Sequence, residues 1–194
     1  MGESEEKFDL QAMAGIPVPF VEMRIINEAG EVPADGQTMG EVQLRGPWVA
    51  ASYHDLAEEK NKWTEDGWFR TGDQGFLDSD CYLHLTGRIK DIIIRGGENI
   101  APHEVDEILL RHPAVAAVVT FGCMHPTLGE EVAAAVVLHE RHGATESELI
   151  QHCRKQLAEY KCPKKIYLVE SIPTTATGKI RRRAVAAVLA GGNE

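Results

Sequence analysis

The sequence has no long apolar run and no paired cysteine motif, and both absences narrow its class. No apolar stretch approaches the about 20 residues that a membrane-spanning helix needs. The four cysteines, Cys81, Cys123, Cys153 and Cys162, show no CxxC spacing. This argues against a zinc site and a disulfide scaffold, and it is typical of a protein from a reducing compartment.

Targeting signals and metal-ligand patterns are also missing. Residues 1–9 are acidic and lack the basic and apolar regions of a signal peptide, and the last four residues, 191–194, are not a peroxisomal signal. None of the eight histidines has the spacing of a metal ligand or of a base beside a nucleophile. We therefore expect a cytoplasmic protein in which this chain supplies no metal site.

The charge that is present is unevenly distributed. Residues 1–87 contain 17 acidic and 6 basic side chains, whereas residues 88–194 contain 13 and 14. Seven of the latter bases lie between Lys161 and Arg183. A basic surface on an acidic protein favours a small anionic ligand. Nucleic acid is a weaker interpretation, because the basic cluster is short and has no interleaved aromatic residues.

The order of predicted elements indicates an α+β protein in three parts. Residues 1–14 are polar and are predicted to form a disordered leader. Residues 15–86 contain short alternating segments typical of strands, with one short helix predicted over 56–63 and a hairpin predicted around the turn at residues 78–80. This β-rich part looks too open for a complete domain. Residues 87–194 are predicted to form a compact domain of alternating strands and helices.

Within that last part, local signals define individual elements. Three β-branched residues at 92–94 favour a buried strand. Pro102 suits the first turn of a helix that should run to residue 111. Thr145 and Glu148 form a capping-box pattern for a helix predicted to reach about Tyr160. Further strands are predicted over 115–122, 131–138 and 165–170, with a last helix over 181–189.

Three motifs occur in a fixed order along the chain. They are Thr71-Gly72-Asp73, the stretch from residue 87 to 105, and PTTATGKIRR at 173–182. The last is not a Walker loop, since that pattern needs Gly in place of Pro173 and Ser or Thr in place of Ile180. Together the motifs resemble the adenylate-forming superfamily, and within it the acyl-CoA synthetases of the fatty-acyl-CoA ligase type. The resemblance covers about residues 15–190.

The resemblance implies an ATP-dependent ligase. Its substrates would be a carboxylic acid such as a fatty acid, ATP and coenzyme A, and its products acyl-CoA, AMP and pyrophosphate, formed through an acyl-adenylate. Mg²⁺ is expected for the full-length enzyme, with no ligands in this chain. The implied fold is the β-rich end of the N-terminal region, with distorted barrel-like strands, over residues 15–86, followed by a mobile C-terminal domain over 87–194.

The resemblance assigns a role to four residues near the nucleotide. Asp73 is similar to the aspartate that accepts hydrogen bonds from the ribose hydroxyls, and Arg88 to an arginine that contacts ribose or phosphate. Lys179 is similar to the catalytic lysine that bridges the substrate carboxylate and the α-phosphate. Lys90 occupies the hinge position. The alternatives are a turn cap for Asp73, surface bases for Arg88 and Lys90, and a solvated loop lysine for Lys179.

A second set of residues is assigned to coenzyme A. Gly96, Gly97 and Glu98 are similar to the loop that lines the pantetheine tunnel. Tyr160, Lys161 and Lys164 fall where some relatives contact the nucleotide end of CoA, although Cys162 replaces an arginine of some relatives. A solvated basic face is the alternative for these residues. Two further departures, His125 for aspartate and Asp106 for glutamate, lie outside the expected chemistry.

The family's phosphate loop and acyl pocket have no match in this sequence. The chain is therefore predicted to be the C-terminal portion of an acyl-CoA synthetase, inactive without the missing N-terminal region. The alternative is a free-standing, non-catalytic module that binds CoA or a nucleotide, or mediates an interaction. The acyl substrate and its chain length are not predicted.

Overall fold

The chain consists of two compact units. The computed structural model describes residues 13–49, 62–140, 142–174, 180 and 182–191. Contacts within the chain divide it between Ile89 and Lys90, in a 3-10 helix formed by Ile89–Asp91. Each unit has its own sheet and its own core. Among the described helices, none is long and apolar enough to cross a bilayer.

In the residues that the structure describes, the first unit forms a six-stranded antiparallel sheet. Its strands have the order β1-β6-β5-β4-β2-β3. Residues 13 and 14, which we assigned to the leader, belong to β1 and pair with β6, and residues 1–12 lie outside the described part. The strands are β1 (Met13–Gly15), β2 (Glu22–Asn27), β3 (Gly30–Glu31), β4 (Gly40–Arg45), β5 (Phe69–Leu77) and β6 (Leu83–Arg88).

Within residues 13–49 and 62–89, the core of this sheet is small. It contains Ile25, Val32, Val42 and Leu83, with other apolar residues only partly buried around them. The hairpin predicted around residues 78–80 is confirmed as β5 and β6. The helix predicted over 56–63 falls mostly on residues outside the described part, although its last residue, Trp63, forms a β-bridge with Phe69.

The described part of the second unit combines three α-helices with a five-stranded sheet. Strand β10 pairs with β9 along its length, with β11, and with β7 at its start. Among the pairings described for this sheet, only the one between β10 and β11 is parallel, because α2 forms the crossover between the two strands. The elements are β7 (Ile93–Arg95), β8 (Glu98–Ile100), α1 (Pro102–Leu110), β9 (Val115–His125), β10 (Gly129–Leu138), α2 (Glu146–Arg154), β11 (Lys165–Leu168) and α3 (Arg182–Ala190).

Both faces of β10, the strand with the most partners in this second sheet, are buried. On one face, Val132 and Val136 of β10 pack with α1 and α2, including Leu109 and Leu149. On the other face, alternate residues of β10 pack against Val185 of α3. Because both faces are covered, β10 is a continuous apolar run instead of an alternating one. The α+β fold predicted from the sequence is confirmed.

Helix starts are predicted better than helix ends. Pro102 begins α1 at its first position, and both hydrogen bonds of the Thr145–Glu148 capping box are present at α2. The predicted extension of α2 to about Tyr160 is wrong, since the helix ends at Arg154. The backbone becomes extended at Ala158, and a 3-10 turn follows. This turn lets the side chain of Tyr160 pack against the core.

The strand predicted at residues 92–94 is only half buried. Ile93 is buried, but Ile94 is 55% exposed. Strand β7 pairs with β8 as a short hairpin and with β10 at a single position, and the face of β7 that carries Ile94 is open to solvent. The β-branched run correctly indicates a strand, whereas its burial was predicted wrongly.

Candidate functional site

Asp73 and Arg88 are brought together by the β5–β6 ladder. They occupy opposite positions in the two strands, and Nε of Arg88 lies 3.0 Å from Oδ1 of Asp73. Gly72 has a φ of 74°, which favours glycine, and the Thr71 hydroxyl accepts from the Asp73 amide while donating to the Val42 carbonyl. The Asp73 and Arg88 side chains are 30% and 55% exposed, so both remain accessible to a ligand.

Gly96 and Gly97 form the two-residue turn of the β7–β8 hairpin. Arg95 and Glu98 are the last pair before the turn, and the φ values of the glycines are 60° and 91°. Two positive φ values in a two-residue hairpin are typical of a type I′ turn. The Gly96 amide also donates to the Leu128 carbonyl at 2.8 Å. The glycines are therefore explained by backbone conformation, while Glu98 is exposed beside them.

Two acidic residues of β10 contact strand β7 of this hairpin. Nε of Arg95 lies 2.6 Å from Oε1 of Glu131, and the Ile94 amide donates to Glu130 at 2.8 Å. Burial opposes ionisation of Glu131. The hydrogen bonds from Arg95 and from the Val132 amide outweigh burial, so the pKa of this carboxyl lies below its usual value. An ion pair and a hydrogen bond to β10 therefore hold strand β7, which leads into the turn.

The lysines assigned to CoA are engaged in ion pairs. Nζ of Lys161 is 2.8 Å from both carboxylate oxygens of Glu104. Nζ of Lys164 is 2.7 Å from Glu159, which also pairs with Arg154. The hydrogen bond from Lys164 lowers the pKa of Glu159. Acidic partners therefore compensate the positive charges of Lys161 and Lys164. The sequence pattern did not indicate this pairing.

Tyr160 and Cys162 lie on either side of Lys161 in different environments. Tyr160 is partly buried against the core, and Nζ of Lys161 is 5.9 Å from its ring centroid. Cys162 is fully buried, and its thiol donates to the Ala158 carbonyl. Cys162 is therefore a core residue and does not face a ligand on the surface.

Lys179 lies outside the described residues, which omit 175–179. The structure describes the residues on both sides of this segment, and Thr174 and Ile180 form an antiparallel bridge. The two ends of the segment are thus next to each other. At the hinge position, the Lys90 carbonyl accepts a hydrogen bond from the Arg183 guanidinium at 2.8 Å.

Sequence analysis missed one contact close to this segment. Arg182 pairs with Asp106, at a distance of 2.6 Å between Nη2 and Oδ2. The sequence analysis gives Asp106 only as a departure from the family pattern that lies outside the expected chemistry. The available signal was an acidic residue in the middle of an otherwise apolar helix face, where a charge needs a partner. Within the described residues, no group of acidic, His or Cys side chains could hold a metal ion.

Comparison with known proteins places this chain in a family. Residues 104–179 match the model of the AMP-binding enzyme C-terminal domain. The oxalate–CoA ligase of Arabidopsis thaliana is 47% identical over 165 residues, which are 85% of this chain and 32% of that protein. The long-chain-fatty-acid–CoA ligase of Thermus thermophilus is 38% identical over 184 residues, 93% of this chain and 34% of that protein.

Solved structures give the same result. ATP-bound MatB from Rhodopseudomonas palustris is 30% identical with a TM-score of 0.84, covering 91% of this chain and 35% of that chain. An o-succinylbenzoate CoA synthetase from Bacillus subtilis, solved with its acyl-adenylate intermediate, is 34% identical with a TM-score of 0.81, covering 90% and 35%. The chain belongs to the adenylate-forming, AMP-forming acyl-CoA ligases and corresponds to their C-terminal portion. It spans about a third of the length of the curated relatives it matches.

Proposed function

We propose that this chain acts as the C-terminal part of an ATP-dependent acyl-CoA synthetase. In the first step a carboxylate oxygen attacks the α-phosphorus of ATP, and pyrophosphate leaves. In the second step the CoA thiol sulfur attacks the acyl carbon, and AMP leaves. The observation that carries the proposal is the similarity of about nine tenths of the chain to such ligases, one of them solved with an acyl-adenylate.

The acid itself is left open. Relatives of similar identity are ligases of oxalate, sulfoacetate and long-chain fatty acids. The described pockets do not select among them. An apolar pocket of about 410 Å³ lies in the first unit, and its wall includes Trp48, which is 73% exposed.

Asp73 and Arg88 are proposed to bind the ribose of the nucleotide. A carboxylate has two acceptor oxygens and no donor when ionised, which suits a pair of hydroxyl groups. The neighbouring guanidinium compensates the charge of Asp73 and supplies donors for a ribose or phosphate oxygen. The distance of 3.0 Å between the two groups supports a joint role.

Lys179 is proposed to stabilise the charge that develops on the α-phosphate during adenylation. A fixed ammonium near the transferring phosphoryl oxygens lowers the barrier most when it is held in place before the reaction. The support comes from sequence, since the family match extends through Lys179.

Lys90 is proposed as the hinge between the two half-reactions. The support is its position, because the division of the chain into two units falls just before it. Lys179 and the Gly96–Gly97 turn would serve different steps, so the second unit must present different surfaces in turn.

Coenzyme A is proposed to bind along the Gly96–Gly97 turn, with Glu98 beside it, and near Tyr160, Lys161 and Lys164. The phosphates of CoA would have to compete with carboxylates for the two lysines, which already have acidic partners at 2.7–2.8 Å. We therefore expect weak binding of CoA to this chain alone.

The isolated chain is proposed to be unable to activate an acid. The described part of the first unit supports this view, because Ile16, Val18 and Trp48 are largely exposed around the apolar pocket. Exposed apolar patches commonly mark surfaces that another element covers. The rest of the longer ligase is the proposed partner. A non-catalytic CoA- or nucleotide-binding module is the second candidate, favoured only by the separate core of the second unit.

Two measurements on the same preparation test these proposals. ATP–pyrophosphate exchange reports adenylation, and calorimetry reports CoA binding. We expect no exchange by the chain alone and exchange after the N-terminal region of a close relative is added. CoA binding without exchange in any mixture would favour the non-catalytic module. An immunoblot of source cells checks the same point, since the first proposal requires a polypeptide about three times as long as this chain.

Two further expectations accompany the proposed function. Mg²⁺ would act with the ATP phosphates, and one solved relative contains ATP and a magnesium ion, but this chain is expected to contribute no ligand. The cytoplasmic location stays a prediction. One relative from Petunia hybrida, 35% identical over 181 residues, is a peroxisomal ligase.

A further inference from the structure

The chain passes from the first unit to the second through a short link, residues 89–92. Its first three residues, Ile89–Asp91, form the 3-10 helix, and none of the three is buried. Such short helices have poorer hydrogen-bond geometry than α-helices, and a segment without buried side chains opens easily. The link therefore needs contacts from elsewhere in the chain if it is to keep one conformation.

Both ends of the link are held by ordered strands. Arg88 is the last residue of β6, is paired with Asp73 in the ladder, and lies 3.0 Å from it through Nε. Ile93 is the first residue of β7 and is buried in the core of the second unit. The backbone torsions that can change without disrupting either sheet are therefore those between these two residues.

Within the described residues, one side chain hydrogen-bonds to the backbone of this link. The guanidinium of Arg183 donates to the Lys90 carbonyl at 2.8 Å through Nη2, and its charge strengthens the bond. Arg183 is the second residue of α3. Its neighbour Arg182 fixes the start of that helix, because it lies 2.6 Å from Oδ2 of Asp106 and donates to the Thr120 carbonyl at 2.9 Å.

The position of this hydrogen bond determines which torsions stay free. The Lys90 carbonyl belongs to the planar peptide group that joins Lys90 to Asp91, so holding its oxygen fixes the whole plane on α3. The torsions of Ile89 and Lys90 precede this plane and can change without breaking the bond. A change of φ at Asp91 turns the plane and moves the oxygen away from the guanidinium of Arg183.

We propose that Arg183 is a positioning residue that clamps the Lys90–Asp91 peptide to the second unit and confines the pivot of the chain to Ile89 and Lys90. The catalytic meaning of the clamp rests on the proposed role of Lys90 as the hinge, whereas the clamp itself is independent of it. A confined pivot allows fewer conformations, so a larger fraction of the molecules has the geometry that each half-reaction needs.

Hydrogen exchange of the chain itself, followed by NMR, tests the clamp. Arg183→Met keeps a long apolar side chain and removes the donors. We expect the amides of Asp91 and Ile92 to exchange about tenfold faster, because the peptide plane opens more easily without a charge-assisted bond. The amides of β10 should keep their wild-type rates. Unchanged exchange at Asp91 and Ile92 would overturn the clamp, and so would an equal acceleration in β10, which would indicate general loss of stability.

Arg154→Met is the matched control. Arg154 is also an arginine in a helix of the second unit, with its side chain 49% exposed, but it pairs with the carboxylate of Glu159. This variant should leave exchange at Asp91 and Ile92 unchanged, and faster exchange there would overturn a local clamp. Arg183→Lys keeps a charged donor, so these amides should exchange more slowly than in Arg183→Met. Equal rates in the two variants would show that donation to the carbonyl is not the cause.

The second test uses the longer ligase that contains this chain. Arg183→Met should lower pyrophosphate exchange and thioester formation from supplied acyl-adenylate by similar factors, about three- to tenfold, because both productive geometries become less populated. A loss confined to one half-reaction, or no loss in either, would overturn the pivot role.

A variant of the hinge itself separates this proposal from the proposed function. Lys90→Pro fixes φ at the pivot and should change the ratio of the two half-reaction rates, whereas Arg183→Met should not. If Lys90→Pro left that ratio at its wild-type value, the proposed hinge would be wrong. The exchange rates of Asp91 and Ile92 would still decide the clamp.

Discussion

Asp73 and Arg88 are partners in neighbouring strands, with Nε of the arginine 3.0 Å from a carboxylate oxygen of the aspartate. The strand ladder fixes their backbone positions, so the pair does not depend on a flexible loop. Because both side chains are partly exposed, the two carboxylate acceptors of Asp73 and the guanidinium donors of Arg88 are available next to each other. A ribose ring with neighbouring hydroxyls would find both kinds of partner there.

Replacing Asp73 should weaken nucleotide binding in the longer ligase. Asp73→Asn keeps the size of the side chain and removes its charge and one acceptor. A hydrogen bond to a charged group contributes about 1.5–3 kcal/mol, so we expect the KM for ATP to rise about ten- to hundredfold. Steady-state kinetics at saturating acid measures this change. Glu22→Gln serves as the control, and an unchanged KM for ATP would contradict the ribose role.

Lys179→Ala should separate the two half-reactions. Loss of the ammonium removes stabilisation of charge on the α-phosphate, so adenylation should fall by orders of magnitude. Thioester formation from supplied acyl-adenylate should largely persist, since that step makes no new phosphoryl charge. Single-turnover measurement of each half-reaction checks this expectation. If both rates fell together, the division of roles would be wrong.

The Gly96–Gly97 turn should be sensitive to backbone strain and not to crowding. An added Cβ at Gly97 has no atom within 4 Å, but its φ of 91° is unfavourable for other residues. Gly97→Ala should therefore lower the free energy of unfolding by about 1–2 kcal/mol, measured by urea denaturation. Gly143→Ala is the matched control, because Gly143 also has open space and is not among the glycines with positive φ. If the Gly97→Ala variant had the same free energy of unfolding as the wild-type chain, the positive φ of Gly97 would not be a source of strain.

Stability should fall as the pH drops below about 6.5 because of His112. Burial and the nearby His152 lower the pKa of His112 from 6.5, while Glu148 acts in the opposite direction. The two imidazole rings are 5.1 Å apart. The unfolded chain then binds a proton at higher pH than the folded chain, so the free energy of unfolding decreases from about pH 6.5 downward.

Urea denaturation between about pH 7.5 and about pH 5.5 measures this effect, above the range in which most carboxylates titrate. His112→Asn keeps an acceptor for the Ala114 amide, to which Nδ1 of His112 is bound at 3.3 Å. The variant should lose part of the pH dependence. The same slope in both proteins would show that His112 is not responsible.

The cysteines should differ sharply in reactivity. Cys81 is exposed, whereas Cys153 and Cys162 are buried in the second unit. Burial raises the pKa of Cys153 to about 12, which leaves almost no thiolate at neutral pH. Alkylation followed by mass spectrometry should modify Cys81 first and reach Cys153 and Cys162 only after unfolding. Early labelling of Cys153 would contradict the described core.

Short-range signals in the sequence were sufficient for several elements. Pro102 and the Thr145–Glu148 capping box mark helix starts because their effect depends on residues within one turn. The strand β8, which follows the Gly96–Gly97 turn and pairs with β7, was not predicted from the sequence. The end of α2 was predicted wrongly, because packing of Tyr160 against the core ends the helix earlier than local propensity indicates.

The sequence by itself determined the family, the α+β class and the positions of most strands, since these depend on ordered motifs and local patterns. Only the tertiary structure decided which charges are compensated. Lys161 meets Glu104, and Arg182 meets Asp106 and the Thr120 carbonyl, which is 62 positions away in the chain. Such contacts depend on how α1, β9 and α3 pack together, and no local pattern specifies that packing. For the same reason Ile94 is exposed in a run that looks buried.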